Sequence, residues 1–278
     1  MEEKRLRLVR VVLIQLFLLA FVLVLNVPFV WMVTTSLKIR KDVFIYPPQL
    51  FGSQLSFKGY AYVWTFVPFA RYLLNSLFIS TAVGVSRVIL ASLAAYAFAK
   101  IPFAGSRQVF YIFLGTMMIP FEVIVIPNYI IVKALGWLDT YYALIVPLSI
   151  RAFSIFLLRQ FFLQIPRELD DAAEMDGAGR LRCLFTIMYP LARPALLTVC
   201  LYSFLESWNS FFWPLVVTNK DTMRVVQIGL SALADPTISI QWNEICAAIA
   251  LATLPIVVMF FFVQKYFLEG ITITGMKA

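Results

Sequence analysis

The chain has 278 residues, 62% of them hydrophobic and only 14% charged, whereas a soluble domain has roughly 45–50% apolar and about 25% charged residues; it reads as an integral membrane protein with many spans. The net charge of +8 does not point to nucleic acid, because it follows from Lys and Arg retained in loops on one side of a membrane. His is absent and Cys183, Cys200 and Cys246 are an odd, scattered set, which excludes His-dependent catalysis and leaves no disulfide framework or metal site.

Four basic residues, Lys4, Arg5, Arg7 and Arg10, precede an apolar run from Val11 to about Val33. That run is long enough to cross a hydrocarbon core of about 30 Å and too long for a secretory signal, so it is an uncleaved first span. Lys38 to Arg71 is the longest polar stretch and reads as a loop; Tyr60, Tyr62, Trp64 and Phe66 alternate with smaller residues there, as in an interfacial aromatic belt. A second span covers about Tyr72 to Ala99. Ala91, Ala95 and Ala99 lie four apart on one face of it, a spacing that permits close helix packing in lipid. The third span, about Val109 to Ile131, is interrupted by Pro120 and Pro127, and the fourth covers about Tyr141 to Phe162.

An acidic segment follows, Pro166 to Gly177. Five of the fifteen acidic residues of the chain, Glu168, Asp170, Asp171, Glu174 and Asp176, fall within it. Pro166 suits a first helical turn, early acids favour the helix N-terminus, and Gly177 can close the helix in a left-handed conformation. This predicts a short water-facing helix, and its small face of Ala172, Ala173 and Asp176 marks it as a docking surface rather than a plain solvated loop. A short segment, Arg180 to Tyr189, leads through Pro190 and Pro194 to a fifth span, about Leu191 to Val217; a polar loop, Thr218 to Gln241, leads to a sixth, about Trp242 to Leu268.

Six spans place both termini on one side. Thirteen Lys and Arg fall on that side and eight on the other, the Lys38–Lys41 cluster being the piece against it. The positive-inside rule then puts the termini and the acidic helix in the cytoplasm.

No phosphate-binding Gly-x-x-x-x-Gly-Lys-Ser/Thr run occurs, so the chain should not bind ATP through a P-loop, and no catalytic residue is assigned. Arg87, Glu122, Arg151 and Glu206 lie at apparent membrane depth, where ionisable residues mark functional sites by default. Glu122 and Arg151 sit near the middle of adjacent spans, which leaves open an ion pair between them with either a functional or a packing role; Arg87 reads as an interface or span-end residue. Glu206 lies in Glu206-Ser-Trp-Asn-Ser-Phe-Phe-Trp-Pro214. Acid, amide and indole groups on one span suit the apolar faces and hydroxyl edges of a sugar ring, and equally suit hydrogen bonding between helices.

Asp171-Ala172-Ala173, three residues, Gly177, nine residues, then Ile187-x-x-Pro190 resembles the cytoplasmic motif of the inner-membrane permease subunits of bacterial ATP-binding-cassette importers. The resemblance is to the carbohydrate-uptake group that includes the second permease of the maltose importer. The first position is Asp where Glu is usual, and Tyr189 stands where Leu is usual. Asn75-Ser76-Leu77, Ser154 to Phe162, Trp208-Asn209, Trp213-Pro214-Leu215 and the tail from Gly270 to Lys277 add to it, covering about residues 72 to 278.

The resemblance implies an all-α membrane protein of the type I importer permease fold, a single domain over 1–278 with six transmembrane helices and a coupling-helix loop at 163–190. Glu168, Asp171, Ala172, Ala173, Asp176, Gly177 and Pro190 would couple to an ATPase. Glu206, Trp208, Asn209 and Asn75 are the substrate-path candidates. The partners implied are a second homologous permease, two ATP-binding subunits carrying ATP and Mg, an extracytoplasmic solute-binding protein and membrane lipid, in the bacterial inner membrane; this chain would hold no cofactor or metal. The competing reading is a stand-alone ion-coupled carrier that uses Glu122, Arg151 and Glu206.

Overall fold

A computed structural model describes residues 2–235, 237 and 240–275, with side chains described at residue 7 and within 9–264. Among these the regular structure is helical. Three helices are each long and apolar enough to cross a membrane: α1 (Glu2–Ser36, its apolar part Val9–Ser36), α3 (Phe69–Lys100) and the apolar part of α14 (Trp242–Gly275) up to Gln264. Three bent helix pairs pass the same test, which gives up to six spans when each pair is counted as one.

The bends sit where proline removes a backbone donor. α4 (Ser106–Thr116) meets α5 (Phe121–Ala134) at 99°, with Pro120 as the extended residue before α5. Pro127 does not break the span; it lies inside α5, as proline does in membrane helices when neighbours satisfy the freed carbonyl. The fourth span is also broken. α6 (Tyr141–Ile145) runs into a 3₁₀ turn holding Pro147, then α7 (Ala152–Gln164) departs at 45°.

The fifth span differs most from its expected bounds. It begins earlier, with α9 (Arg180–Cys183), a π turn over Leu184–Met188 and α10 (Tyr189–Leu191), and bends by 86° into α11 (Arg193–Trp208). Residues 212–217, expected within it, form a separate helix α12 (Phe212–Val217). Pro214 is the third residue of α12, where no N–H is needed within the helix. The two stretches read as loops also hold helices, α2 (Lys58–Phe66) and α13 (Val226–Leu233). In α2 the apparent alternation is a helical pattern: Tyr62 and Phe66, four apart, stack with ring centroids 5.3 Å apart, while Gly59 and Val63 turn inward. A Cβ on Gly59 would stand 3.2 Å from the Asn243 carbonyl.

The chain divides into two compact units. The first is Met1–Val67 with Leu230–Thr253. Its 38–57 loop folds around two buried charges. Lys38 Nζ donates to the Gln49 carbonyl at 2.6 Å and lies over the Trp31 ring; Asp42 accepts from the Ser53 hydroxyl and backbone N–H, each at 2.6 Å. The Ser53 hydroxyl holds the Asp42 carboxyl below the usual carboxylate range.

The second unit is Pro68–Gly229 with Leu254–Ala278. α3 is its axis, and α7 and α11 pack along it. Ala91, Ala95 and Ala99 are all buried, against Ile155, Leu158 and Phe162 of α7 and Ala195 and Val199 of α11, so the small-residue stripe does seat a close neighbour. Nearer the other end of α3, a Cβ on Gly84 would stand 3.3 Å from the Cys200 carbonyl of α11. At 1.5 Å per residue, α3 is about 48 Å long. Asn75, near its start, binds residues 222–224, whereas Lys100, its last residue, binds the acidic segment. The two polar segments therefore lie at opposite ends of one rod. The loop before α6 joins the Asn75 end: Asp139 accepts from the N–H groups of Asn219 at 2.6 Å and Lys220 at 2.8 Å. Burial pushes the Asp139 carboxyl up, but the two backbone donors outweigh it and hold the group below its ordinary range.

Candidate coupling helix and membrane-depth charge site

The acidic segment forms α8 (Glu168–Met175). Pro166 and Arg167 stand before it and Asp171 N–H bonds back to the Arg167 carbonyl. At the other end Gly177 has φ +77°. Its N–H donates to Glu174 O at 3.0 Å, and Ala178 N–H donates to Ala173 O at 2.8 Å. These are the paired 5→2 and 6→1 bonds of a Schellman ending, which requires the left-handed residue at Gly177.

The helix has two unlike faces. Glu168, Asp171, Ala172, Asp176 and Gly177 are exposed, and Met175 is 89% exposed. Ala173 does not share that surface: it is buried in the chain's own core with Leu184 and Met188. Ala172 and Ala173 are about 100° apart on a helix, so both could not face one partner. Asp170, three residues before Ala173, also turns inward. Its Oδ2 lies 2.8 Å from Lys100 Nζ, and its Oδ1 lies 3.1 Å from Cys183 Sγ and 3.4 Å from the Tyr96 hydroxyl. Asp170 is not among the coupling residues expected from the motif. It lies three residues before Ala173 and so shares its face of the helix, but nothing in the sequence tells that face from the outward one.

Pro190, expected among the coupling residues, sits in α10 directly after the π turn, whose closing bond runs from Tyr189 N–H to Leu184 O. A π turn beside proline is a local departure from the α-helical ladder, placed here between α8 and the 86° bend.

The Glu122–Arg151 pair that the sequence leaves open is not formed. Arg151 Nη2 lies 2.7 Å from Glu206 Oε1, and Arg151 stands over the Phe121 ring. The other carboxylate oxygen, Glu206 Oε2, takes Arg87 Nη1. Glu122 is an exposed residue in the first turn of α5. Arg87 is neither at an interface nor near a span end. Its guanidinium is 1% exposed, and Nε and Nη2 both donate to the Leu148 carbonyl, at 3.0 and 2.6 Å. That carbonyl lies at the break between α6 and α7, where the helical ladder stops. Arg87 thus satisfies two needs created by membrane depth: a carbonyl without its helical donor, and a carboxylate. The pairing joins α3, α11 and the 148–151 break across sequence distances of 61 and 119 residues. Arg151 and Glu206 line a cavity of about 280 Å³ with Phe121, Asn128 and Tyr202.

The other substrate-path candidates are placed as follows. Asn209 is exposed just after α11. Trp208 is buried and stacks on Phe204 at 5.6 Å. Asn75 is buried and uses its whole amide: Nδ2 donates to Thr222 O and Arg224 O, and Oδ1 accepts from the Tyr141 hydroxyl, all within 2.9 Å. Trp213, which follows them in the chain, is buried and donates to the Ala143 carbonyl at 2.9 Å, pinning α12 to α6.

A family profile described as binding-protein-dependent transport system inner membrane component matches residues 87–273, from the buried arginine through the acidic helix into α14. The chain belongs to this family. Among the curated relatives of this permease, the trehalose/maltose transport system permease protein MalG of Thermococcus litoralis is 33% identical over 259 residues, 90% of this chain and 91% of the relative. The arabinooligosaccharides transport system permease protein AraQ of Halalkalibacterium halodurans is 36% identical over 203 residues, 73% of this chain and 72% of its own length. The sn-glycerol-3-phosphate transport system permease protein UgpE of Agrobacterium fabrum is 35% identical over 209 residues, 75% and 74% of the two chains. The fold of the permease is also similar to a chain in the crystal structure of a bacterial ABC transporter involved in the import of the acidic polysaccharide alginate, with a TM-score of 0.80, 26% identity and coverage of 93% and 96%. The family and these relatives are transport subunits, and nothing among them favours an ion-coupled carrier. In this permease Glu206, the acid such a carrier would use, is committed to ion pairs with two arginines.

Proposed function

We propose that this permease subunit pairs with a second homologous permease to form the path for a carbohydrate or related solute, which an extracytoplasmic binding protein delivers. Two separate subunits bind ATP and Mg, and one of them docks on α8. The observation that carries this reading is the build of α8 itself: a short helix closed by a Schellman turn, anchored on one face, with Asp171, Ala172, Met175 and Gly177 outward on the other. A docked partner finds there an acid for a basic side chain, an apolar knob, and a Cβ-free position for close backbone approach. Names of the relatives support the solute class, since two of the three concern sugars and the third a sugar-sized phosphate ester. Within the second unit, Glu206 and Arg151 at the 280 Å³ cavity are the membrane-depth groups taken to meet a solute; Asn209 is exposed just after α11, Trp208 packs on Phe204, and Asn75 holds residues 222 and 224 near the start of α3.

Reconstitution tests the assignment. Purified with its ATPase subunits and partner permease in lipid nanodiscs, the assembly should hydrolyse ATP faster when loaded binding protein is added. Solute accumulation by this chain alone in proteoliposomes, without ATP, would overturn it.

Orientation has its own expected outcome. On a background without native cysteines, Cys introduced at positions 171 and 277 should react with an impermeant maleimide only from the cytoplasmic side, and Cys at 55 and 230 only from the other. Position 277 lies outside the described residues and is included because the sequence places the tail with α8. Reaction of position 55 from the cytoplasm would invert the arrangement.

A further inference from the structure

We infer that Lys100 and Asp170 form a clasp that fixes α3 to the coupling helix, so that the two move as one body during transport; the inference rests on the reading of α8 as the ATPase-docking helix. The geometry behind it is a two-point hold. The Lys100 ammonium, 3% exposed, lies 2.8 Å from Asp170 Oδ2 and also donates at 2.8 Å to the Ile165 carbonyl. Ile165 is the residue after α7 and immediately before Pro166. One cation thus ties both the approach to α8 and its inward acid to the last residue of α3. Tyr96, one turn earlier on α3, brings its hydroxyl to the same carboxylate, with Cys183 of α9 on the other side of Oδ1.

The rest of α3 makes this attachment consequential. At mid-length Arg87 ties it to Glu206 of α11 and to the Leu148 carbonyl; near its start Asn75 ties it to residues 222 and 224 and to Tyr141. Between these points α3 is an unbroken helix, whereas the route through Pro190 crosses a π turn and an 86° bend. A displacement of α8 reaches the membrane-depth charge site more directly along the unbroken helix than through the bent one. Lys100 and Asp170 are positioning residues in this scheme: neither need touch ATPase or solute.

The test uses the full complex of this chain, the second permease, the ATPase subunits and the binding protein. Asp170→Asn and Lys100→Met should each leave the ATPase subunits bound in a pull-down, yet lower binding-protein-dependent transport by about tenfold or more, the scale of a lost coupling free energy. The exchange Lys100→Asp with Asp170→Lys should restore part of the transport that either single reversal loses, because it regains the ion pair but not the donor to the Ile165 carbonyl; a purely steric role would restore none, and no restoration overturns the clasp. Transport at the wild-type rate in both single variants overturns the clasp. Should the single variants fail to assemble, Lys100→Cys with Asp170→Cys on a Cys-free background gives a second reading. A short bis-maleimide should join the pair in the nucleotide-free and the ATP-trapped complex alike, and the joined complex should still transport. Cross-linking in only one state, or loss of transport on cross-linking, overturns the proposal. Gly177→Asp is the control for the underlying reading: if it transports normally with the ATPase attached, α8 is not the docking helix, and that failure is separate from a failure of the clasp.

Discussion

Gly177→Asp is expected to leave the permease folded and inserted while abolishing transport. The fold tolerates the change because a Cβ at Gly177 meets nothing within 4 Å of this chain. Its cost is backbone strain at φ +77°, about 1 kcal/mol for one residue, and Asp is among the residues that visit this region most readily. The two Schellman hydrogen bonds are made by backbone atoms and need not be lost. What changes is the outer surface: a carboxylate projects from the tip of α8, beside exposed Met175, into the space assigned to the ATPase. Either the ATPase should fail to co-purify, or its hydrolysis should stop responding to loaded binding protein. Asp171→Lys should act the same way, since an exposed acid becomes a cation against a basic partner, and Asp171→Glu should be tolerated. Wild-type transport by Gly177→Asp with the ATPase attached would reduce α8 to an ordinary solvated helix.

The largest expected loss of stability comes from Arg87. Replacing Arg87 by Gln leaves the Leu148 carbonyl short of its donors and takes one of the two cations from Glu206. Removing one partner of a buried pair costs about 3–5 kcal/mol; the Arg87 side chain is almost fully buried, while Glu206 keeps about a third of its surface, so the lower end of that range is expected. The measurement is thermal unfolding in detergent of Arg87→Gln, Glu206→Gln and the double variant. The double variant should be less destabilised than the sum, because the groups share one contact. A parallel cycle on Glu122→Gln and Arg151→Gln should be additive, since Arg151 pairs with Glu206 instead. Additivity in the first cycle would mean that Arg87 and Glu206 do not interact in the membrane.

Much of the architecture is legible in the order of the residues. An apolar run of span length needs no partner to identify it, because the lipid itself is the solvent that selects it. The acidic helix is legible from residues close in sequence: Pro166 before it, acids in its first turn and Gly177 after it, each acting on the backbone within a few positions. Ala91, Ala95 and Ala99 announce a packed face in the same way. Proline is a weaker guide. Pro120 breaks its span and Pro127 does not, and Pro147 marks a break that the apolar pattern of its span does not reveal, because neighbouring helices decide whether a freed carbonyl finds a donor.

The sequence by itself determined the class of protein, its apolar runs of span length and the position of the acidic helix α8, since these depend on local composition and on backbone chemistry within a turn or two. Only the tertiary structure decided how the buried charges pair and which face of α8 is free. Arg87 meets Leu148 and Glu206 across 61 and 119 residues, and Asp170 meets Lys100 across 70. An ion pair at membrane depth is chosen by which helices pack together and where they break, and that geometry is a property of the whole bundle rather than of any one span.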